Sequence, residues 1–168
     1  MVALMLAVFS RLRPIWPVMT LLGSGALLAV AHAFQRIGGL APCALCLDQR
    51  DWHWGVVAAS VIGLALVRFK PGLARWVAFA LGLVVLGAAG MAAYHVGVEQ
   101  GWITATCEAD LDMGDIQAFD VNATFVAPTC DTPAWTMFGV SMAGYNAIIS
   151  VLIALASFAV AIAPSEEA

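Results

Sequence analysis

Apolar residues fill four long stretches of this chain, and polar residues collect between them. The stretches run from about Pro14 to Ala33, from about Arg50 to Val67, from about Leu73 to Val98, and from about Trp135 to Ala163, where Pro164 closes the last. Each approaches or exceeds the roughly 20 residues with which an α-helix crosses the hydrocarbon core of a bilayer. The pattern predicts an all-α membrane protein, a four-transmembrane-helix bundle forming a single membrane domain over residues 1–168. Two polar segments, about 35–49 and 99–134, form loops on one face. The first nine residues are also apolar, but Arg11, Arg13 and Pro14 follow at once. A signal peptide carries its positive charges before the apolar stretch, so Met1 to Phe9 reads instead as a piece lying along the membrane surface.

Composition agrees with this picture. Hydrophobic residues make up 62% of the 168 and charged residues 11%, with a mean hydropathy of +0.93. Soluble domains hold roughly 45–50% apolar and about 25% charged residues. No repeat, low-complexity segment, phosphate-binding glycine loop or nucleic-acid patch is visible.

Lysine and arginine set the orientation. Arg11 and Arg13 precede the first span, and Arg68, Lys70 and Arg75 crowd the link between the second and third, so five of the seven positive charges share one side. The positive-inside rule makes that side cytoplasmic, with both termini inside and both longer loops outside, in the periplasm of a bacterium. The six tryptophans, Trp16, Trp52, Trp54, Trp76, Trp102 and Trp135, each fall near a proposed span end, as interfacial anchors do. Ala89, Ala93 and Gly97 on the third span, and Gly139, Ala143 and Ala147 on the fourth, recur every four residues and read as seams of close helix packing.

The chain has four cysteines, all assigned to the outer side. Thiols there meet an oxidising compartment and are expected to pair, most naturally Cys43 with Cys46 and Cys107 with Cys130. A Cys107–Cys130 bridge closes a loop of moderate length, worth roughly 3 kcal/mol in chain-entropy models, and reads equally as a staple. A Cys43–Cys46 bridge closes almost nothing, yet its two-residue spacing is that of redox dithiols. Pro42 suits the first turn of a helix, which places this pair in the positive potential of a helix N-terminus, where thiolates are stabilised. Arg50 lies one turn beyond Cys46. Its fixed charge favours a thiolate and its planar fork can hold a carbonyl oxygen, although an arginine at a span end also reads as a partner for lipid phosphate. Electrons entering such a site must leave it, and a lipid-soluble quinone is the obvious two-electron acceptor, though nothing in the spacing names it.

Three fragments together resemble the DsbB family of disulfide-bond formation proteins. They are Gly39-Leu40-Ala41-Pro42-Cys43-Ala44-Leu45-Cys46-Leu47-Asp48-Gln49-Arg50, Tyr94-His95-Val96-Gly97-Val98-Glu99-Gln100-Gly101-Trp102, and Cys130-Asp131 followed by Trp135 and Phe138-Gly139-Val140-Ser141-Met142-Ala143-Gly144-Tyr145-Asn146. The resemblance covers all four spans and both outer loops. It implies a quinone-dependent thiol-disulfide oxidoreductase of the bacterial inner membrane that reoxidises a periplasmic thioredoxin-fold partner of the DsbA type. By match of position, Cys107 forms the mixed disulfide with that partner and pairs with Cys130 at rest. Cys130 then exchanges with Cys43, which frees Cys46 as a thiolate toward bound ubiquinone or menaquinone, with Arg50 polarising it. The resemblance also places His95 and Glu99 beside the quinone, as hydrogen-bond donor or proton route. A polar pair bonded to a neighbouring helix is the plainer reading of these two. His53 and His32 have no comparable support, and Tyr145 and Asn146 read as bonding between helices.

The second loop departs from the best-known members. It is short and acidic from Glu108 to Asp120, and Leu111, Ile116 and Phe119 can line one side of a small surface helix, which reads equally as resting on the membrane or as a plain solvated face. Other function classes fit less well. A membrane protein merely stapled by disulfides leaves Cys43, Cys46 and Arg50 without a role. A structural zinc site usually brings two closely spaced cysteine pairs, and only one is present. A vitamin K epoxide reductase-like oxidoreductase runs related chemistry, but the fragments at Tyr94 and Phe138 point away from it.

Overall fold

In the computed structural model, residues 8–105, 107 and 128–164 are described. Four long helices dominate: α1 (Trp16–Arg36), α2 (Ala44–Phe69), α3 (Ala74–Glu99) and α4 (Met142–Ile162). All are long and apolar enough to cross a membrane. Successive helices are antiparallel, the first three joined by short connections and the fourth by the long segment 100–141. The C-terminal ends of α1 and α3 therefore gather with the N-terminal ends of α2 and α4, opposite the basic link at Arg68, Lys70 and Arg75. That shared end carries the cysteines. The surface helix expected around Leu111, Ile116 and Phe119 lies outside the described residues, as does most of the Met1–Phe9 piece. Its last two residues, Val8 and Phe9, are helical and continue through a 3₁₀ turn at Arg13–Ile15 into α1.

Two helix starts differ from the apolar stretches. The second helix begins at Ala44, six residues before Arg50, because Cys43 caps it: the Cys43 sulfur accepts a hydrogen bond from the Cys46 amide at 3.3 Å. The polar residues Asp48 and Gln49, outside the apolar stretch, are helical with it, as the helix start expected at Pro42 and Cys43 required. Pro42 consequently stands before the cap rather than in the first turn. The fourth helix begins only at Met142. Residues 136–141 form a hairpin, β1 (Thr136–Met137) against β2 (Val140–Ser141), in register Thr136 to Ser141. Its central residues Phe138 and Gly139 have φ of 50° and 78°, the left-handed pair that a tight two-residue hairpin needs. Ser141 then caps α4, accepting from the Gly144 amide at 3.0 Å.

Packing inverts the order of a soluble core. The largest outward side chains are apolar, among them Leu22, Ile62, Leu83, Leu152 and Leu155, whereas Thr20, Ser24, Ser60, Ser150 and Ser157 are buried. Lipid rewards the outer face, and buried hydroxyls join helices where no water competes. Thr20 meets Ser60 at 2.9 Å between α1 and α2, and the Trp16 indole donates to Ser157 at 2.9 Å between α1 and α4. Trp16 is thus a packed core residue, unlike the exposed Trp52, Trp54, Trp76 and Trp102. Arg13 donates to the carbonyls of Val160 and Ala163, a cation at the carbonyl end of α4.

The small-residue seams hold in part, since Ala89, Gly97 and Ala143 are buried. Ala93 is exposed and Gly139 lies in the hairpin turn, while Ala147 is only half-buried. The buried seam of α3 instead includes Ala78, Gly82, Val85, Ala89 and Ala92, facing Ala143, Ser150, Ala154, Ser157 and Ala161 of α4. Gly82 is the closest approach: a Cβ there would stand 2.8 Å from the Phe158 ring and 3.1 Å from Ser157. Gly82→Val is expected to cost about 1–3 kcal/mol by overpacking. A lower thermal unfolding midpoint in detergent checks it, and an unchanged midpoint would show that α3 and α4 can separate freely.

Candidate active site

The helix cap brings the first thiol pair together. Cys43 in extended conformation and Cys46 in the first turn of α2 place their sulfurs 2.8 Å apart, with the Cys43 thiol donating. That hydrogen bond and burial hold the Cys43 thiol far above its ordinary range, so the proton stays on Cys43. Cys46 keeps the freer sulfur, partly exposed to a neighbouring cavity.

The second pair is a disulfide. Cys107 and Cys130 are bonded with Cα atoms 5.9 Å apart. Cys130 is only 1% exposed and belongs to one buried cluster with Cys43, Leu45 and Val98, against which Cys46 and Cys107 also pack. Gly97 makes this possible. The chain folds back after α3 through Gly101 (φ 69°), and Ile103 lies so close over Gly97 that a Cβ there would stand 2.8 Å from it. The return carries Ala105 and Cys107 to the dithiol.

A cavity of about 550 Å³ opens beside Cys46. Leu27, Leu28, Ala31 and Phe34 of α1 and Ile149 of α4 give it apolar walls, and Cys46, Arg50, His95 and Glu99 line it as well. Arg50 is held from α1, donating to the Gln35 side chain and, at 3.2 Å, to the Ala31 carbonyl. Trp135 stacks between Phe34 and Tyr145, with centroids 5.1 and 6.1 Å away, and ties the hairpin to the rim. Glu99 accepts from the Ser141 hydroxyl, which links the end of α3 to the cap of α4.

The expected residues Cys43, Cys46, Arg50, His95 and Glu99 thus converge, and Cys107 and Cys130 join them through the buried cluster. His95 Nε2 lies 3.7 Å from the Cys43 sulfur and 3.9 Å from Glu99 Oε1. Sequence reasoning had Asn146 bonding between helices, as it does, but not its partners in the polar chain behind His95, and Tyr145 donates instead to the Met137 carbonyl in the hairpin. Asn146 Nδ2 donates to Gln49 Oε1 at 2.6 Å, and Gln49 Nε2 meets His95 Nδ1 at 2.5 Å. Further back, Asn146 Oδ1 meets His53 Nε2 at 2.8 Å, and His53 Nδ1 meets Ser24 at 3.3 Å. Because Gln49 Oε1 is taken by Asn146, Gln49 presents its N–H to Nδ1, and the His95 proton sits on Nε2, facing Cys43 and Glu99. The chain touches all four helices. Gln49 and His53 lie three and seven residues after Cys46, one helix face, which was the available signal; nothing local marked Asn146 as their partner.

Comparison with known proteins gives the family. A family model described as disulfide bond formation protein DsbB matches residues 13–160. The disulfide bond formation protein B of Albidiferax ferrireducens is 29% identical over 149 residues, 82% of this chain and 81% of that protein. Its counterparts in Dechloromonas aromatica and Marinobacter nauticus are each 31% identical, over 76% and 79% of this chain and 79% and 82% of their own lengths. No solved structure matches significantly. The family model covers most of the chain and the structure has four helices able to cross a membrane: the chain belongs to the DsbB family, multi-pass membrane oxidoreductases of disulfide bond formation.

Proposed function

We propose that the protein is a protein-disulfide:quinone oxidoreductase of the bacterial inner membrane, with both termini cytoplasmic, that reoxidises a periplasmic DsbA-type thioredoxin-fold partner. The observation that carries this reading is the single buried cluster holding Cys43 and Cys130, with Cys46 and Cys107 at its edge. Disulfide exchange requires a thiolate to reach a disulfide sulfur, and these sulfurs need only small motions to do so.

The relay balances as follows. A partner thiolate attacks Cys107, the Cys107–Cys130 bond breaks, and Cys130 leaves as a thiolate. Cys130 attacks Cys43 of an oxidised Cys43–Cys46 pair, and Cys46 leaves with the electron pair. The partner's second thiol, deprotonated, then attacks its own sulfur in the mixed disulfide and expels Cys107. Cys107 in turn attacks Cys130 and expels Cys43. The partner has lost two electrons and Cys43 and Cys46 have gained them.

The cavity fits a quinone headgroup in size and lining: small-molecule sites span about 300–1,000 Å³ with apolar walls and a few convergent polar groups. Arg50, His95 and Glu99 would hold it, and a bound ubiquinone or menaquinone supplies the sink for two electrons and two protons. Arg50 offers a fixed donor to a carbonyl oxygen, His95 holds a proton on Nε2, and the apolar walls keep water from the Cys46 sulfur. Purified protein given ubiquinone and a reduced DsbA-type partner is expected to oxidise the partner and form one quinol per disulfide made. Partner oxidation without quinol would sink the quinone assignment, and quinol without partner oxidation would sink the partner.

A further inference from the structure

We propose that the reduced Cys43/Cys46 site is also a binding site for a thiophilic divalent cation such as zinc, with His95 and Glu99 completing the coordination. Cysteine spacing alone spoke against a metal because only one close pair exists. The fold supplies the missing half from α3. The two sulfurs and His95 Nε2 form a three-ligand group within 4.8 Å of one another; Glu99 stands outside that group, with Oε1 3.9 Å from Nε2, and reaches the fourth position by swinging its side chain inward. Glu99 Oε2 is engaged by Ser141, which leaves Oε1 toward the site.

The distances are close to those of a tetrahedral centre. With zinc–sulfur bonds of about 2.3 Å and zinc–nitrogen bonds of about 2.0–2.1 Å, sulfur and nitrogen stand about 3.6 Å apart and two sulfurs about 3.8 Å. Cys43 Sγ and His95 Nε2 already stand at 3.7 Å, and the sulfurs, at 2.8 Å, need to part by about 1 Å. Cys43 is a cap outside the helix and Cys46 sits in its first turn, so side-chain rotation provides that movement. Cys43, Cys46, His95 and Glu99 all line the cavity, which gives an ion its path. Coordination needs a lone pair on Nε2. Turning the Gln49 and Asn146 amides over together moves the His95 proton to Nδ1, where Gln49 Oε1 accepts it; His53 shifts its own proton from Nε2 to Nδ1, accepting from Asn146 and donating to Ser24, so every bond of the chain is kept. Binding releases two protons from the two thiols and transfers no electron. Because a Cys43–Cys46 disulfide offers no thiolate, the site exists only in the reduced protein, and an ion there blocks reoxidation of the pair.

Cobalt(II) alone is the probe, added to full-length Cys107→Ser/Cys130→Ser protein in detergent without quinone or partner, so that the result is independent of the relay. The reduced protein is expected to bind one ion, with thiolate charge-transfer bands and the strong visible bands of a four-coordinate centre. Those bands should vanish when Cys43 and Cys46 are oxidised to a disulfide. His95→Ala and Glu99→Gln should each weaken binding at least about 10-fold. His95→Gln, which keeps a polar side chain of similar reach, serves if His95→Ala does not fold. Binding that survives oxidation, or that ignores both the His95 and Glu99 changes, would reduce the site to a bare dithiol and overturn the proposal, as would no binding by folded, reduced protein.

Discussion

Cys46→Ser is expected to stop catalytic oxidation of a reduced partner while leaving a burst of one partner equivalent per chain. The Cys107–Cys130 bond is intact in this variant and still accepts one pair of electrons. Cys43 then has no disulfide to offer Cys130, so the electrons stay in the outer pair. A hydroxyl is a far poorer nucleophile and leaving group than a thiol here, and residual turnover should be indistinguishable from uncatalysed exchange. Cys107→Ser should show neither burst nor turnover. Stopped mixtures quantified for free thiol separate the two patterns, and multiple turnovers by the Cys46 variant would refute the order of the relay.

Gln49→Leu is expected to slow quinone-coupled turnover by about 10²-fold, because it leaves His95 without a fixed tautomer and strands two buried partners. General acid–base assistance is worth about 10²–10⁴ in rate, so losing its orientation forfeits a large part of it. Asn146 Nδ2 and His95 Nδ1 both lose their bond. Each buried unpaired polar group costs about 1–3 kcal/mol. Stability alone is therefore an incomplete reading, and Gln49→Glu distinguishes the causes. A carboxylate accepts from Asn146 and from His95 Nδ1–H, which preserves the packing but moves the imidazole proton away from Nε2. Nitrogen NMR of the imidazole should show the opposite tautomer in Gln49→Glu, with turnover reduced and the unfolding midpoint nearly kept. Wild-type turnover in that variant would show that the Nε2 proton plays no part.

What the sequence disclosed follows from the range of the forces involved. Spans and thiol spacing are local: hydropathy averaged over about 20 residues marks a crossing, and Cys43 and Cys46 announce themselves by separation alone. Helix ends are decided by single capping bonds, which averages miss. Thus hydropathy began the second span only at Arg50, though Pro42 marked its start nearly in place, and the apolar Trp135–Ser141 hairpin was read as helix. Seams held only in part, with Ala89, Gly97 and Ala143 buried, for a similar reason. Small residues every four positions are a necessary mark of close packing, but Ala93 shows that the rotation of the helix, set by all its neighbours, picks the face. The site was half visible. Arg50, His95 and Glu99 stand near the thiols in sequence or in the family pattern, whereas Asn146, 97 residues from Gln49, is joined to it only by tertiary structure.

The inverted core has a practical corollary for anyone wishing to handle this molecule without detergent. Its recognition between helices is written in hydroxyls, alanines and glycines inside, and its large aliphatic side chains, such as Leu22, Val61, Ile62, Leu83, Leu86, Leu152 and Leu155, face outward. Repainting those outer positions with glutamate, lysine and glutamine leaves the Thr20–Ser60 and Trp16–Ser157 joints untouched. The exterior is a coat suited to lipid, and the scaffold beneath it is a candidate for redesign as a water-soluble thiol relay.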